Sequence, residues 1–417
     1  MEKKPRLLTG PLIMFICTMV LANIASRMYH PLLALYLQSL GANVEEVGLF
    51  FTLGSLAPLA FQILGGWLSD SLGRLQAVAI GSTAGFLGML VYLFAPSWHW
   101  LLLATVTGSL AGAFVAPSFQ AFIAEQASEE TLGRVYGLSE SIFMIVGIVG
   151  PPLGGFLADH YGFRTMFIVA ITLYGAATLL RLWMAREARR KKKGTPSSKP
   201  SFGALKADMG TMLGLVLGGG LLTWILISDG VRDVTYRLAF EMESLYLQDI
   251  IGLTKTQIGW LISASSLTTA LLMSAAGALS DKRGERVGIV GGFAIIATGL
   301  LVFLKSTTFV GCLVAWILFG VGSALIAPAY NALISKAVPK SLRGTAFGLF
   351  TTSISFLSLP APYAGALLWN RFSPQVPFYL PIIATVILLP IMWVKFKLPE
   401  KQPKACTGCL EPALGTE

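Results

Sequence analysis

The sequence predicts an all-α membrane protein with twelve transmembrane helices in two pseudo-symmetric bundles of six. Three observations favour this fold class. Of the 417 residues, 54% are hydrophobic and only 12% are charged, whereas a soluble domain has about 25% charged residues. The apolar residues form long blocks, and the mean hydropathy is +0.70. In addition, one short sequence pattern occurs in both halves of the chain.

Most apolar blocks contain about 19 to 31 residues, which is enough for a helix to cross a hydrocarbon core of about 30 Å. Because lipid offers no hydrogen bonds to the backbone, each block must be a helix. The first block is too long for a signal-peptide core, so we assign it as helix 1. The predicted spans are 9–39, 46–69, 75–95, 99–124, 135–158, 164–184, 210–248, 256–279, 287–305, 309–334, 345–369 and 377–397.

Span 7 is longer than one crossing needs. Its residues 210–248 exceed the range of about 17–25 that is typical of a transmembrane helix. The glycines at 218–220 or Gly230 could divide it. If the membrane part ends near Asp229, the charges that follow stand in external water.

The basic residues predict the orientation. An even number of spans places both termini on one side, and cytoplasmic segments are enriched in Lys and Arg. With both termini in the cytoplasm, the cytoplasmic segments and helix ends contain 24 of the 31 Lys and Arg residues. Three of the others lie within spans, namely Arg27, Arg232 and Arg237, and four lie outside, namely Arg164, Lys255, Lys305 and Arg371. We therefore expect a multi-pass protein of the plasma or inner membrane.

The net charge of +10 does not require a nucleic-acid partner. Most of it is concentrated in a basic, Pro- and Ser-containing run that begins at Arg186. Such a run between membrane helices contacts anionic headgroups. The predicted domains are an N-terminal bundle at 1–185, a cytoplasmic linker at 186–208, a C-terminal bundle at 209–397 and a cytoplasmic tail at 398–417.

The two halves repeat each other at an offset of 210 or 211 positions. Residues 66–74 read GWLSDSLGR and residues 277–284 read GALSDKRG. An Ala-Pro pair recurs at 116 and 327, and Tyr-Leu-Gln recurs at 36 and 246. Repeats related by an axis along the membrane normal are typical of the major facilitator fold.

The chain resembles the major facilitator superfamily over essentially its whole length. The superfamily has a motif between helices 2 and 3, which Gly66, Asp70, Gly73 and Arg74 match in this chain. The corresponding turn of the second half matches it at Gly277, Asp281 and Gly284. The resemblance implies a conformational gate, in which the Asp pairs with neighbouring helix ends and closes the cytoplasmic side. A carboxylate near a helix N-terminus is stabilised by about 0.3–1 kcal/mol. The alternative is a simple solvated turn.

Span 5 resembles the antiporter motif of the drug:proton exchangers in this superfamily. The matching residues are Gly137, Gly147, Gly150, Pro151, Gly154 and Gly155. Glycines allow helices to approach closely, and proline can bend a helix. The resemblance implies export, whereas the alternative is a tightly packed helix without that role. The register is imperfect, because Val146 occupies the place of one family glycine.

Span 4 departs from the exporter pattern. Many drug:proton antiporters have an Arg in this helix, and the nearest alignment places Ala104 there. Proton coupling in this chain must therefore use another charge.

Spans 1 and 7 provide the candidates for proton coupling or substrate binding. These are Asn23, Arg27, His30, Asp229, Arg232, Asp233, Tyr236, Arg237 and Glu241. Acids and bases four positions apart form one stripe on a helix. Alignment of the Tyr-Leu-Gln repeats pairs Arg27 with Arg237, so two arginines would face each other across a central cavity. A cation within a span costs at least about 2.5–3.5 kcal/mol and indicates a partner or a function.

Three hypotheses remain for this stripe. Asp229 or Asp233 takes up a proton while an Arg stabilises its charged form. Alternatively, Arg27 and Arg237 bind an anionic substrate through bidentate hydrogen bonds, as the resemblance to organophosphate antiporters implies. In the third hypothesis, the charged side chains only form ion pairs with one another or are solvated outside the membrane.

No catalytic triad, phosphate-binding glycine loop or full set of metal ligands appears in the sequence. The C-x-x-C pair at Cys406 and Cys409 lacks the second pair that a zinc site needs. We therefore expect no enzyme, cofactor or metal, but a secondary transporter with a small-molecule substrate, protons and the lipid bilayer as partners. Proton-driven efflux of an amphipathic compound is favoured. The alternatives are transport of an organic anion and a receptor or scaffold without transport.

Overall fold

The structure of the protein is a computed structural model. It describes residues 10–61, 73–126, 132–191, 220–338 and 354–396. Several predicted features lie outside these residues, namely Gly66, Asp70, most of the linker, the start of span 7, Cys406 and Cys409.

The described residues form twelve main helical segments. They are α1 (Gly10–Ser39), α2 (Val44–Phe61), α3 (Arg74–Phe94), α4 (Trp100–Gln126), α5 (Leu132–His160), α6 (Gly162–Lys191), α7 (Leu221–Phe240), α8 (Lys255–Arg283), α9 (Glu285–Lys305), α10 (Phe309–Ala337), α11 (Ala361–Arg371) and α12 (Val376–Lys395). A 3-10 turn at His30–Leu32 interrupts α1.

Ten of these segments are long and apolar enough to cross a membrane. There are two exceptions. Helix α7 contains four charged residues, and the continuous helix described for α11 is only 11 residues long. The predicted all-α membrane fold is thereby confirmed.

Two helices begin at predicted loops with a residue whose side chain caps the helix N-terminus. Asn43 and Glu46 form a capping box at the start of α2, and Thr254 and Gln257 form one at the start of α8. Such caps satisfy backbone N–H groups that have no partner within the helix.

Span 7 does not divide at Gly230. That residue lies inside α7, which continues to Phe240. The helix is interrupted one step later, at Glu241 and Met242, and resumes as Glu243–Leu245 and a π-turn over Tyr246–Ile250. The charged stripe is therefore helical as far as Arg237 and does not begin a loop at Asp229.

The internal repeat is visible in three dimensions. Tyr36 packs on Phe167 with ring centroids 4.7 Å apart, and 210 positions later Tyr246 packs on Phe378 at 5.0 Å. The turns repeat as well. Gly73 and Gly284, which precede α3 and α9, have φ values of 91° and 89°. Glycine adopts this backbone region at little cost, whereas other residues rarely do.

Helices α1–α6 form the N-terminal half and α7–α12 the C-terminal half. The halves meet mainly where α5 packs along α8 and α2 packs along α11. The boundaries at 185/186 and 208/209 stay a prediction, because residues 192–219 lie outside the described chain.

Candidate functional site

The two halves are joined by polar contacts at one end of the helices. This end contains residues 40–43, 161, 251–254 and 372–375, and we call it the closed end. Its central contact is Asp159, the penultimate residue of α5. The Asp159 carboxylate accepts hydrogen bonds from the backbone N–H groups of Lys255 at 3.1 Å and Thr256 at 2.7 Å, and from the Thr256 hydroxyl at 2.6 Å. The Lys255 ammonium lies 3.6 Å from the same carboxylate.

Asp159 therefore caps α8 from the other half of the molecule. Thr254 satisfies the N–H of Gln257, while Asp159 satisfies the first two N–H groups of the helix. A carboxylate at a helix N-terminus is also stabilised by the helix dipole. Separation of the halves at this end would break all of these bonds together.

Three further contacts between the halves support closure. Gln38 donates to Asp249 at 2.8 Å, and Asn370 donates to Glu45 at 3.1 Å. The backbone N–H of Tyr363 donates to the Thr52 hydroxyl at 3.1 Å. The first two contacts join helix ends, and the third lies about two turns inside α2.

The glycines of the antiporter-like motif allow α5 to pack closely against two helices. A Cβ added to Gly154 would overlap the Met28 carbonyl of α1, and one added to Gly150 would lie 2.5 Å from the Arg27 Cβ. A Cβ added to Gly155 would instead overlap the Lys255 carbonyl of α8.

Helix α8 also contributes a glycine to its contact with α5. A Cβ added to Gly259 of α8 would lie 2.5 Å from the Pro151 carbonyl oxygen of α5. Gly147 has more room, since its nearest neighbour is Ser266 at 3.4 Å. Gly137 has no such neighbour in the described chain within 4 Å. The motif thus packs α5 on α1 within a half and on α8 between the halves.

The opposite end of the molecule contains the second copy of the predicted gate. Gly277 and Asp281 lie in α8, and Asp281 is exposed in its last turn. Among the described residues no ion pair involves Asp281. Close by, Glu285 at the start of α9 forms an ion pair with Lys336 of α10. Arg74, at the start of α3, occupies the position in the first repeat that corresponds to Glu285.

The charged stripe of α7 is held in two sets of ion pairs. Arg237 lies 3.0 Å from Asp233 and 4.0 Å from Glu241. Arg232 lies 3.3 Å from Asp229. From Asp229 to Glu241 the stripe extends over about 18 Å of helix.

Asp229 is the most buried acid of this stripe. It is 7% exposed, and the hydroxyl of Tyr330 on α10 lies beside its carboxylate without forming an aligned hydrogen bond within the described chain. Its bonds to Arg232 are long, at 3.3 and 3.4 Å. The Arg232 guanidinium also lies 5.1 Å from the centre of the Phe293 ring. The carboxylate is therefore weakly bound rather than tightly clamped.

Tyr236 also belongs to this stretch of α7. It is 40% exposed, and its ring stacks on Phe240 with the ring centroids 3.6 Å apart. His30, in the 3-10 turn of α1, is exposed as well.

The predicted two-arginine clamp is not assembled in this structure. Arg237 is occupied by two carboxylates, whereas Arg27 is exposed and forms no ion pair with the described residues. Asn23 donates to the Met19 carbonyl one turn earlier in α1. Nor do three His, Cys, Asp or Glu side chains of the described chain converge to suit a metal ion.

Two important residues are missing from the sequence prediction. The count of basic residues included Arg181 among the cytoplasmic segments and helix ends, but it did not predict that the Arg181 side chain is only 2% exposed inside the N-terminal half. The sequence signal for its burial was that apolar residues follow Arg181 at 182–185, so that the helix continues in an apolar environment. Asp159 was not selected because its partners are backbone groups of a distant helix, which no local pattern reveals.

Comparison with known proteins assigns the family. The sequence profile of the Major Facilitator Superfamily matches residues 15–229 and 235–408. The chain belongs to this superfamily. The resemblance drawn from the motifs is confirmed, and the chain is a multi-pass secondary transporter of the cell membrane.

Two relatives and one solved structure illustrate the similarity. An uncharacterized transporter of this superfamily from Methanocaldococcus jannaschii is 30% identical over 331 residues, or 78% of this chain and 82% of that protein. The multi-drug resistance efflux pump PmrA homolog of Lactococcus lactis is 27% identical over 379 residues, or 87% of this chain and 88% of that protein. A crystal structure of a bacterial homologue of the iron transporter ferroportin, in an inward-facing state, matches with a TM-score of 0.73 at 15% identity, covering 92% of this chain and 98% of that one. The structural likeness shows the fold alone.

Proposed function

We propose that this protein exports amphipathic compounds in exchange for protons by alternating access. The observation that supports this most directly is the buried, weakly paired Asp229 on a helix of the C-terminal half. A carboxylate in this setting changes partner when it is protonated, which is what coupling requires. Similarity to a protein named as a multidrug efflux pump supports export as the direction.

We further propose that the closed end faces the cell exterior. The positive-inside rule places the termini and the basic turns at Gly73 and Gly284 in the cytoplasm. The structure then represents a state closed to the outside, and the exposed Asp281 fits a cytoplasmic gate that has opened. In this state Asp229 is paired with Arg232, as expected after its proton has been released to the cytoplasm.

The experiment is efflux from proteoliposomes that contain the purified full chain. Ethidium serves as a cationic amphipathic probe, and an imposed pH gradient supplies the driving force. We expect transport that depends on the gradient and stops when a protonophore collapses it. Transport of ethidium at the same rate with and without the gradient would contradict proton coupling, and the absence of any transport would contradict the choice of substrate.

Replacement of Asp159 tests the assignment of the closed end. Asp159→Ala removes the cap of α8, and loss of such a cap costs about 0.5–2 kcal/mol, or about a 2- to 30-fold change in the population of the closed state. We expect the distance between spin labels at His99 and Thr307, one in each half at this end, to shift towards longer values. The measurement is pulsed electron paramagnetic resonance.

Asp159→Asn is the graded comparison, because Asn keeps one acceptor oxygen at the start of α8 but loses the second acceptor and the charge that faces Lys255. It should lengthen the distance less than Asp159→Ala does. Identical distance distributions for Asp159→Ala and the unaltered protein would show that this contact does not hold the end closed.

A double-mutant cycle on Asp233 and Arg237 separates an internal ion pair from a substrate clamp. Arg237→Ala alone leaves the Asp233 carboxylate without its cation, and Asp233→Ala alone leaves Arg237 with only the more distant Glu241. We expect the double variant to recover part of the lost thermal stability, with a coupling energy of about 0.5–3 kcal/mol. Additive losses, together with selective loss of binding of anionic compounds, would instead support the organic-anion transporter.

A further inference from the structure

The guanidinium of Arg181 is buried without an acidic partner. Its Nε donates to the Thr18 hydroxyl at 3.1 Å, its Nη1 to the Ser82 hydroxyl at 2.8 Å and its Nη2 to the Thr18 carbonyl at 3.2 Å. All of these acceptors are neutral. Among the described residues no Asp or Glu forms an ion pair with Arg181. A buried charge in this situation is costly and indicates a missing counter-charge.

A fourth contact of Arg181 is weak. Its Nη2 also donates to the thioether sulfur of Met19 at 2.9 Å. A thioether is a poor acceptor, whereas an oxyanion forms a shorter and stronger, charge-assisted bond with a guanidinium. The Met19 side chain lines the neighbouring cavity. An oxyanion in that cavity would therefore replace the least favourable partner of Arg181.

The cavity has a volume of about 270 Å³ and lies between α1, α3, α4 and α6. Its polar lining includes Asn23 and the three tyrosines Tyr29, Tyr92 and Tyr174, and Arg181 is the single charged residue of that lining in the described chain. Tyrosine rings offer apolar contact area together with a hydroxyl group. The volume is slightly below the range of about 300–1,000 Å³ for drug-sized ligands, so it suits one aromatic group of a substrate.

We infer that this cavity binds an aromatic group with an attached oxyanion, such as an arylcarboxylate, and that Arg181 provides the counter-charge. This rests on the proposed function, because it defines a substrate class for the same transporter. The site differs from the predicted Arg27–Arg237 clamp, since it lies within the N-terminal half and involves neither of those arginines.

The test is calorimetric titration of the full chain in phosphatidylcholine nanodiscs with benzoate and with benzamide, its neutral analogue of nearly the same shape. We expect benzoate to bind about tenfold more tightly or better, as a charge-assisted bond predicts. Arg181→Gln should remove this preference. Gly112→Leu should remove it as well, because Gly112 lines the cavity and its Cβ would meet no neighbour. A leucine there fills the cavity without displacing the acceptors of Arg181.

The control is Gly291→Leu, at another helical glycine with free space around its Cβ, which should keep the preference. Equal binding of the two compounds by the unaltered protein would overturn the inference, as would a preference that survives either cavity variant. If Arg181→Gln does not fold, Gly112→Leu decides alone. Ethidium efflux measured in parallel separates the two claims. Gradient-driven export of ethidium without a benzoate preference refutes only this inference, and a benzoate preference with ethidium transport that ignores the pH gradient refutes only the proposed proton coupling.

Discussion

Gly155→Ala is expected to reduce transport by about 5- to 150-fold while the protein still folds and reaches the membrane. The added methyl group would overlap the Lys255 carbonyl and lie 2.7 Å from its carbonyl carbon, which belongs to the backbone of the other half. Overpacking of this kind costs about 1–3 kcal/mol, and each 1.4 kcal/mol changes an equilibrium about tenfold. Because the clash exists only when the halves meet at the closed end, that cost falls on one conformational state.

The measurement combines transport in proteoliposomes with the His99–Thr307 spin-label distance, which should lengthen. Gly291→Ala, where the new Cβ meets no neighbour, is the control and should leave transport unchanged. Gly154→Ala provides a second comparison. Its methyl group would overlap the Met28 backbone within the same half, so we expect reduced yield and thermal stability instead of a selective transport defect. Normal transport by Gly155→Ala would show that close approach of α5 and α8 is not needed.

The fold was accessible from the sequence because lipid imposes simple constraints. Only helices satisfy their own backbone in a hydrocarbon core, so long apolar blocks predict them directly. The repeated turn at Gly73 and Gly284 could also be predicted from the sequence, since a turn with a positive φ favours glycine. The sequence allowed span 7 to divide at the glycines 218–220 or at Gly230, and Gly230 is not a point of interruption. Gly230 is accommodated inside α7, and the helix is interrupted after Phe240.

The site was less predictable because its partners lie far apart in sequence. The spacing of Asp233 and Arg237 indicated a pair one turn apart, and the structure shows them 3.0 Å from each other. The contact of Asp159 with the start of α8 spans 96 positions or more and involves backbone groups. The burial of Arg181 was not predicted because its acceptors, Thr18 and Ser82, are ordinary hydroxyl residues on other helices.

Asp229→Asn is expected to reduce gradient-driven efflux strongly without unfolding the protein. Asparagine keeps the shape and the acceptor oxygen that faces Arg232, but it cannot take up or release a proton. Protonation of Asp229 would couple the proton gradient to export of the substrate. Loss of a coupling free energy of about 1–3 kcal/mol reduces gradient-driven transport by about 5- to 150-fold. Exchange of ethidium across the membrane without a pH gradient should persist, because the alternating-access movement does not need net proton transfer in that mode. The measurement compares both modes in the same proteoliposomes.

Ser228→Ala is the matched control, since it alters the adjacent buried side chain without changing charge. It should preserve both modes of transport. Asp233→Asn distinguishes the two acids. Because Asp233 is held 3.0 Å from Arg237 and is more exposed than Asp229, we expect a smaller loss of gradient-driven efflux than in Asp229→Asn. A reversed order would assign proton coupling to Asp233. Unchanged gradient-driven efflux in both single variants and in the double variant would exclude both carboxylates, and the exporter would then have to couple protons through Glu241 or through another residue of the chain.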